Sequence, residues 1–361
     1  MSSLGFVPPN GAQFTILRND GADPISGTFA FLPEGGTFTT NSTTFQISYI
    51  GGDGNDIVLT VVSPWVPTTL GVDTAGNGVL EPGETVNLKP TWTNSSGASS
   101  SLTGAMTNFT GPPGPTYTTL DATGSYGTIA DDASALCTDC YSVEVTGARP
   151  AAHWDATIDE TINPTAVVQT WKLHVGDSFP DVPTSQPFYP FIENLFHNAI
   201  TGGCGGGSYC PAGSTTRGQM AVFLLKAKHG SGYVPPACDG SFPDVPCPSQ
   251  FADWIEQLAA EAITGGCGGG NYCPDNPVTR AQMAVFLLKS KHGSSYVPPV
   301  CAGTFGDVAC PSQFADWIEQ LAAESITGGC GGGNYCPSNP NTRGQMAVFL
   351  VKTFGLLLYG P

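Results

Sequence analysis

The sequence predicts a multidomain chain: all-β modules in its N-terminal half, sandwich-like, followed by an α-helical bundle of three helix-loop-helix repeats. One observation behind this is exact repetition. Phe179-Pro-Asp181-Val182 recurs as Phe242-Pro-Asp244-Val245 and Phe305-Gly-Asp307-Val308, 63 residues apart each time, and Thr216-Arg217-Gly-Gln219 recurs as Thr279-Arg280-Ala-Gln282 and Thr342-Arg343-Gly-Gln345. The first half instead shows short β-branched runs with period-2 alternation. The third observation is 47 Gly and 31 Pro among 361 residues, which demand many tight turns.

In the first module, residues 1–63, the runs Ala12–Leu17, Thr37–Thr40, Phe45–Ile50 and Ile57–Val62 read as strands. Gly51-Gly-Asp-Gly-Asn-Asp56 is the turn between the last two; it also fits one calcium-binding nonapeptide, but such sites need stacked copies, so a hairpin turn is expected. The phrase 45–62 resembles the end of autotransporter and β-solenoid exported proteins. After Ser63-Pro-Trp-Val-Pro67, a second module over 64–175 alternates through Val86–Lys89, Thr91–Thr93, Tyr141–Val145 and Val167–Leu173, predicting about seven strands in a sandwich. Its Gly76-Asn77-Gly78…Glu81-Pro-Gly-Glu84 phrase resembles the immunoglobulin-like modules of bacterial surface proteins. Asp73, Asn77, Glu81 and Glu84 also stand at calcium-loop spacing, although Ala75 occupies a ligand position and Pro82 opposes a following helix. A solvated acidic turn is the competing reading.

Three repeats follow, at 176–236, 237–299 and 300–361. In the second, Phe251, Trp254, Ile255 and Leu258 make one helical stripe ended by Ile263-Thr-Gly-Gly, and Thr279 opens a second helix carrying Met283, Phe286 and Leu287 until Gly293. Two short helices cannot bury such stripes alone; three copies packed around a shared axis can.

The formal charge is −17, with four Lys/Arg against 16 Asp/Glu in residues 1–176 and eight against 13 in residues 177–361. Neither nucleic acid nor anionic lipid is an expected partner through bulk charge. No apolar run approaches the roughly 18–20 residues that span a bilayer, so no transmembrane segment is expected.

The twelve cysteines are placed in correlated pairs. Cys204 with Cys210, Cys267 with Cys273 and Cys330 with Cys336 occur once per repeat. Cys238 with Cys247 and Cys301 with Cys310 occur in the last two repeats, and Val175 and Thr184 replace both partners in the first. Joint absence is the behaviour of bonded partners, so disulfides are expected, with Cys137 and Cys140 as a sixth, and with them an extracellular location. Zinc would leave the first repeat with only two ligands. Met1–Asp20 has neither a basic start nor an apolar run of signal-peptide length, so the chain is expected to be the end of a longer exported precursor or to be written without its leader.

Phe242-Pro-Asp244-Val245, Trp254, Ala262-Ile263-Thr-Gly265, Tyr272-Cys-Pro274 and Thr279-Arg280-Ala-Gln282, in that order and in three copies, resemble the surface-layer homology family. The resemblance implies a pseudo-threefold bundle that anchors exported proteins at the bacterial cell surface to an acidic cell-wall polysaccharide, with the motif arginine in the ligand groove. This chain departs from the family pattern in Gln219, Gln282 and Gln345 where glutamate is usual, in Phe191 for Trp, and in its disulfides.

Thr followed three residues later by Gln is a capping box and needs no ligand. The arginines are different. Arg217, Arg280 and Arg343 stand at the first helical position, where the helix dipole disfavours a cation, and a carboxylate partner explains them: an acidic sugar, or the chain's own Asp181, Asp244 and Asp307. Tyr209, Tyr272 and Tyr335 are expected either to stack on sugar or to cover the adjacent disulfide, and Trp254 and Trp317 to lie in the core. Lys226, Lys228, Lys289 and Lys291 read as ordinary helix-end cations. There is no nucleophile elbow and no His-Glu-x-x-His, and Glu256 and Glu319 lie opposite the apolar stripe, so a non-catalytic protein is expected. The alternative is a subunit that assembles with copies of itself into an extracellular filament or surface layer by β-edge pairing.

Overall fold

The computed structural model describes residues 8, 11–19, 21, 23–40 and 43–361; residues 1–7, 9, 10 and 20 of the stretch read for a leader lie outside them. The chain is all-β with antiparallel sheets up to residue 174 and helical beyond.

Strands β1 (Gln13–Leu17), β2 (Thr37–Thr40), β3 (Thr43–Gly51) and β4 (Asp56–Val62) form one sheet in the order β1-β4-β3-β2. The expected turn joins β3 to β4, and Asp56 Oδ1 accepts the amide of Asn19 at 2.9 Å, a turn role rather than a cation-binding one. The core here is small: Ile47, Tyr49 and Ile57.

The next region has nine strands rather than about seven: β5 (Trp65–Val72), β6 (Thr85–Asn94), β7 (Ser100–Thr110), β8 (Thr116–Asp121), β9 (Thr123–Ile129), β10 (Ser134–Leu136), β11 (Tyr141–Thr146), β12 (Asp155–Asn163) and β13 (Val167–His174). The two runs read separately around Pro90 are one strand, β6. Its flanking partner changes at the proline, from β11 up to Leu88 to β10 from Thr91. Sheets β10-β6-β11-β8 (with β5 on β6) and β13-β12-β7-β9 share one core containing Leu88, Trp92, Val143, Ile158 and Trp171. At its centre Glu160, fully buried, accepts hydrogen bonds from Trp92 Nε1 (3.1 Å), Trp171 Nε1 (2.8 Å), Tyr141 Oη (2.6 Å) and Tyr126 Oη. Gly104 and Gly124 make this possible, because a Cβ at either would collide with the Tyr141 ring.

Six helices follow: α1 (Tyr189–His197), α2 (Arg217–His229), α3 (Ala252–Ala260), α4 (Arg280–His292), α5 (Ala315–Ala323) and α6 (Arg343–Phe354). The first helix of each repeat is amphipathic, burying Ile192 and Leu195, Ile255 and Leu258, or Ile318 and Leu321. The second is buried on more sides than the expected single stripe; α4 buries Ala281, Met283, Ala284, Phe286, Leu287, Leu288 and Ser290. Such helices belong at the centre. Isolated bridges Thr216–Pro277, Thr279–Pro340 and Ser214–Thr342 tie each repeat to another. Trp254 and Trp317 are partly buried against this core.

The chain end returns to the β region. Tyr359 is buried there, accepting from the Leu80 amide at 2.9 Å and donating to His174 O at 3.0 Å. No helix among the described residues is long and apolar enough to cross a membrane.

All six expected disulfides are present and no cysteine is free. Cys204 is bonded to Cys210, Cys267 to Cys273 and Cys330 to Cys336, one loop per repeat. Cys238 is bonded to Cys247 and Cys301 to Cys310, as their joint absence from the first repeat implied. These two bonds run from core to surface: Cys238 and Cys301 pack on the helical core, whereas Cys247 and Cys310 are exposed. Cys137 is bonded to Cys140 between β10 and β11; Cys137 is buried in the β core and Cys140 half-buried at its edge. With every sulfur so engaged, Cys140, Cys247 and Cys310 are staples with no free thiolate to offer a metal.

Candidate functional site

The capping boxes form as the spacing predicts. Thr216, Thr279 and Thr342 each accept the amide of the glutamine three residues on, and each glutamine side chain accepts the threonine amide in return. The arginine is thereby fixed at the first helical position, and its side chain reaches into a different repeat. Arg217 Nε donates to Tyr272 O at 2.7 Å, Arg280 Nε to Tyr335 O at 2.8 Å and Arg343 Nε to Tyr209 O at 2.8 Å. Each tyrosine hydroxyl donates back to the backbone carbonyl of the same arginine at 2.8–2.9 Å. Each guanidinium also lies over the tyrosine ring, at 4.6, 4.6 and 4.8 Å, and near Phe286, Phe349 or Phe223.

The aspartates have another task. Asp181 accepts the amides of Tyr209 and Cys210 at 2.8 and 2.7 Å; Asp244 does the same for Tyr272 and Cys273, and Asp307 for Tyr335 and Cys336. Burial would raise the Asp244 carboxyl, but these amides hold it below its ordinary value. Asp and disulfide together hold Cys210, Cys273 and Cys336 at φ 60°, a conformation that needs such support.

Two expectations are therefore corrected. The tyrosines are 0% exposed and present no free face to a sugar; they are platforms for arginine. Nor do Asp181, Asp244 and Asp307 pair with the arginines: among the described residues no carboxylate lies within ion-pair distance of Arg217, Arg280 or Arg343. The arginines are only 3–4% exposed, deeper than open-cleft residues would be. Burial holds each below its ordinary pKa, against the attraction of the tyrosine and the aspartate. Yet Arg280 Nη2 and Arg343 Nη2 are buried without a hydrogen-bond partner, and Arg217 Nη2 reaches only Thr264 Oγ1, at 3.5 Å.

A cleft of about 500 Å³ opens beside Arg217. It is lined by Thr264, Gly265 and Gly266 of the loop after α3, Gln282 and Lys289 of α4, and Phe314 before α5. No acidic side chain lines it. Lys289, expected to be only a helix-end cation, thus shares the cleft with Arg217, and Lys226 and Lys352 hold the same register in the other repeats. Their signal was recurrence at 226, 289 and 352.

The other candidates are held by local bonds. Glu256 accepts the amides of Asp239, Gly240 and Ser241, and Glu319 those of Ala302, Gly303 and Thr304. In the Asp73 loop, Asp73 Oδ2 accepts the amides of Asn77 and Gly78, and Asn77 Nδ2 donates to Glu81 Oε1 at 2.7 Å. Burial, with Glu81 and Asp73 close by, pushes the Glu84 carboxyl up to about 7.

The S-layer homology domain model matches residues 178–221 and 241–284, so this chain carries S-layer homology repeats. An endoglucanase of Bacillus sp. strain KSM-635 is 27% identical over 173 residues, covering 47% of this chain and 18% of the relative. A middle cell wall protein of Brevibacillus brevis is 24% identical over 104 residues, covering 28% of this chain and 10% of the relative. The chain thus spans less than a fifth of either relative. A solved Pseudomonas fluorescens alkylpurine DNA glycosylase aligns at TM-score 0.19 and 13% identity, over 32% of this chain and 31% of that one, too weakly to carry an argument. Repeats and disulfides together define an extracellular protein of the bacterial cell surface.

Proposed function

We propose that this chain is a non-catalytic cell-envelope protein, held to an acidic cell-wall polysaccharide by its three repeats. One observation carries the reading: guanidinium groups buried without a carboxylate partner, one of them beside a cleft lined by a second cation and no acid. A buried charge left unpaired is costly, and a carboxylate-bearing sugar would supply the missing partner. The cyclic order of contacts, first repeat onto second, second onto third, third onto first, supports a pseudo-threefold bundle with equivalent grooves. In this reading 1–63 and 64–175, the latter immunoglobulin-like, are modules displayed beyond the anchor of 176–236, 237–299 and 300–361. Isolated wall sacculi are the test. The protein pellets with native sacculi and stays in solution with sacculi stripped of their acidic polymer; equal pelleting with both would remove the acidic ligand.

A second reading is favoured by the first sheet. Ile16 and Leu17 on edge strand β1 are each 48% exposed, and Phe31 is fully exposed. Such an edge can pair with another copy, building a filament or layer from the β modules. Regular polymers of the purified chain in electron micrographs, without wall material, would favour it.

A further inference from the structure

Three of the five histidines gather where the second β region meets the first repeat. His153 precedes β12, His174 ends β13 and His197 ends α1. Their Nε2, Nδ1 and Nδ1 atoms lie 3.1, 3.2 and 3.1 Å from one atom, Asp155 Oδ1, and the four atoms lie within 4.8 Å of one another.

Read as hydrogen bonds, these contacts require a proton on each of the three nitrogens and put three donors on an oxygen with two lone pairs. A cation among them accounts for the arrangement. In a tetrahedral zinc site with bonds of about 2.0–2.1 Å, neighbouring ligand atoms stand roughly 3.3 Å apart, close to the three separations from Asp155 Oδ1. The surroundings are those of a metal ligand set. His174 Nε2 bonds the buried Glu193 Oε2 at 2.7 Å, which orients Nδ1 toward the cluster, and Glu193 is itself held by the Ser178 amide and hydroxyl at 2.8 and 2.7 Å. Lys172 Nζ holds Asp155 Oδ2 at 2.7 Å, leaving Oδ1 to face the histidines. His174 is fully buried and His197 mostly so.

We propose that His153, Asp155, His174 and His197 bind one zinc ion, which locks the second β region to the first helical repeat. Three nitrogens and one oxygen suit zinc, and four protein ligands make the site structural rather than catalytic. No thiol competes, since every cysteine is in a disulfide. The other cluster of potential ligands among the described residues, Asp307 with Cys330 and Cys336, is excluded because those sulfurs are bonded to each other.

The test uses the full chain, stripped with chelator, dialysed and titrated with zinc chloride by calorimetry, with cobalt(II) as a spectroscopic probe. One zinc per chain is expected, with the intense visible bands of tetrahedral cobalt. His153→Ala and His197→Ala, both at partly exposed positions, abolish stoichiometric binding, and Glu193→Gln weakens it by about 10–100-fold. His229→Ala/His292→Ala, which removes the only other histidines, leaves it unchanged. Zinc also slows proteolysis of the 176–187 connection in the wild type and not in His197→Ala. Circular dichroism confirms that each variant is folded. No binding by the wild type at micromolar zinc, or undiminished binding by a folded His153→Ala/His197→Ala double variant, overturns the site.

Discussion

The β region and the helical repeats each bury charge-bearing groups, and they treat them differently. Glu160 receives four hydrogen bonds from Trp92, Trp171, Tyr126 and Tyr141, more than enough to replace water. Arg280 and Arg343, each 4% exposed, keep an Nη2 without any partner. A satisfied network fixes a core; an unfinished one leaves capacity for something from outside. The Glu160 centre is therefore structural, and the arginine centre is where the proposed function places its ligand.

The largest effect should come from the satisfied centre. Glu160→Ala strands four buried donors at about 1–3 kcal/mol each, less what water entering the cavity recovers, and the β region should unfold well below the wild type in urea. Arg343→Met is milder. It frees chiefly Tyr209 O, so a loss of about 1–3 kcal/mol is expected, read by the same urea curves. Comparable losses for the two variants would erase the distinction between the centres. Removing one loop disulfide, Cys267→Ser/Cys273→Ser, should cost about 2–3 kcal/mol under chain-entropy reasoning and free the Cys273 backbone, seen as faster amide exchange at Tyr272 and Cys273.

The smallest effect is one of pH. Because the folded protein favours the proton on Glu84, its stabilising contribution is whole below the ordinary value of 4.5 and is lost as pH rises through about 7. Glu84→Gln should raise the melting temperature at pH 8 by a few degrees and change little at pH 4. A melting temperature for Glu84→Gln that tracks the wild type at both pH values would refute this.

How much the sequence could tell follows the distances involved. Capping boxes, helix stops, the β3–β4 turn and all six disulfides join residues close in the chain, and local spacing revealed them. The fate of the tyrosines was out of reach, because Arg217 meets Tyr272 55 residues on and Arg343 meets Tyr209 134 residues back. A Gly-rich neighbourhood says that a ring is accessible to something, not that another repeat's arginine covers it. Glu160 gave no signal either, since a single acid in an alternating strand reads as solvent-facing until its four donors arrive from β6, β9, β11 and β13. Pro90 misled in the opposite direction: it breaks a run on paper, yet β6 passes through it where the flanking partner changes.

Since the arginines are part of the core, the lysines that recur with them at 226, 289 and 352 test the anion-binding groove with less risk to the fold. Co-sedimentation with native sacculi, comparing the wild type with a Lys226→Gln/Lys289→Gln/Lys352→Gln variant shown to be folded, is the most direct measurement. The variant should stay largely in the supernatant, and rising salt should release the wild type. Equal pelleting of the two proteins, unaffected by salt, would contradict an anion-binding groove.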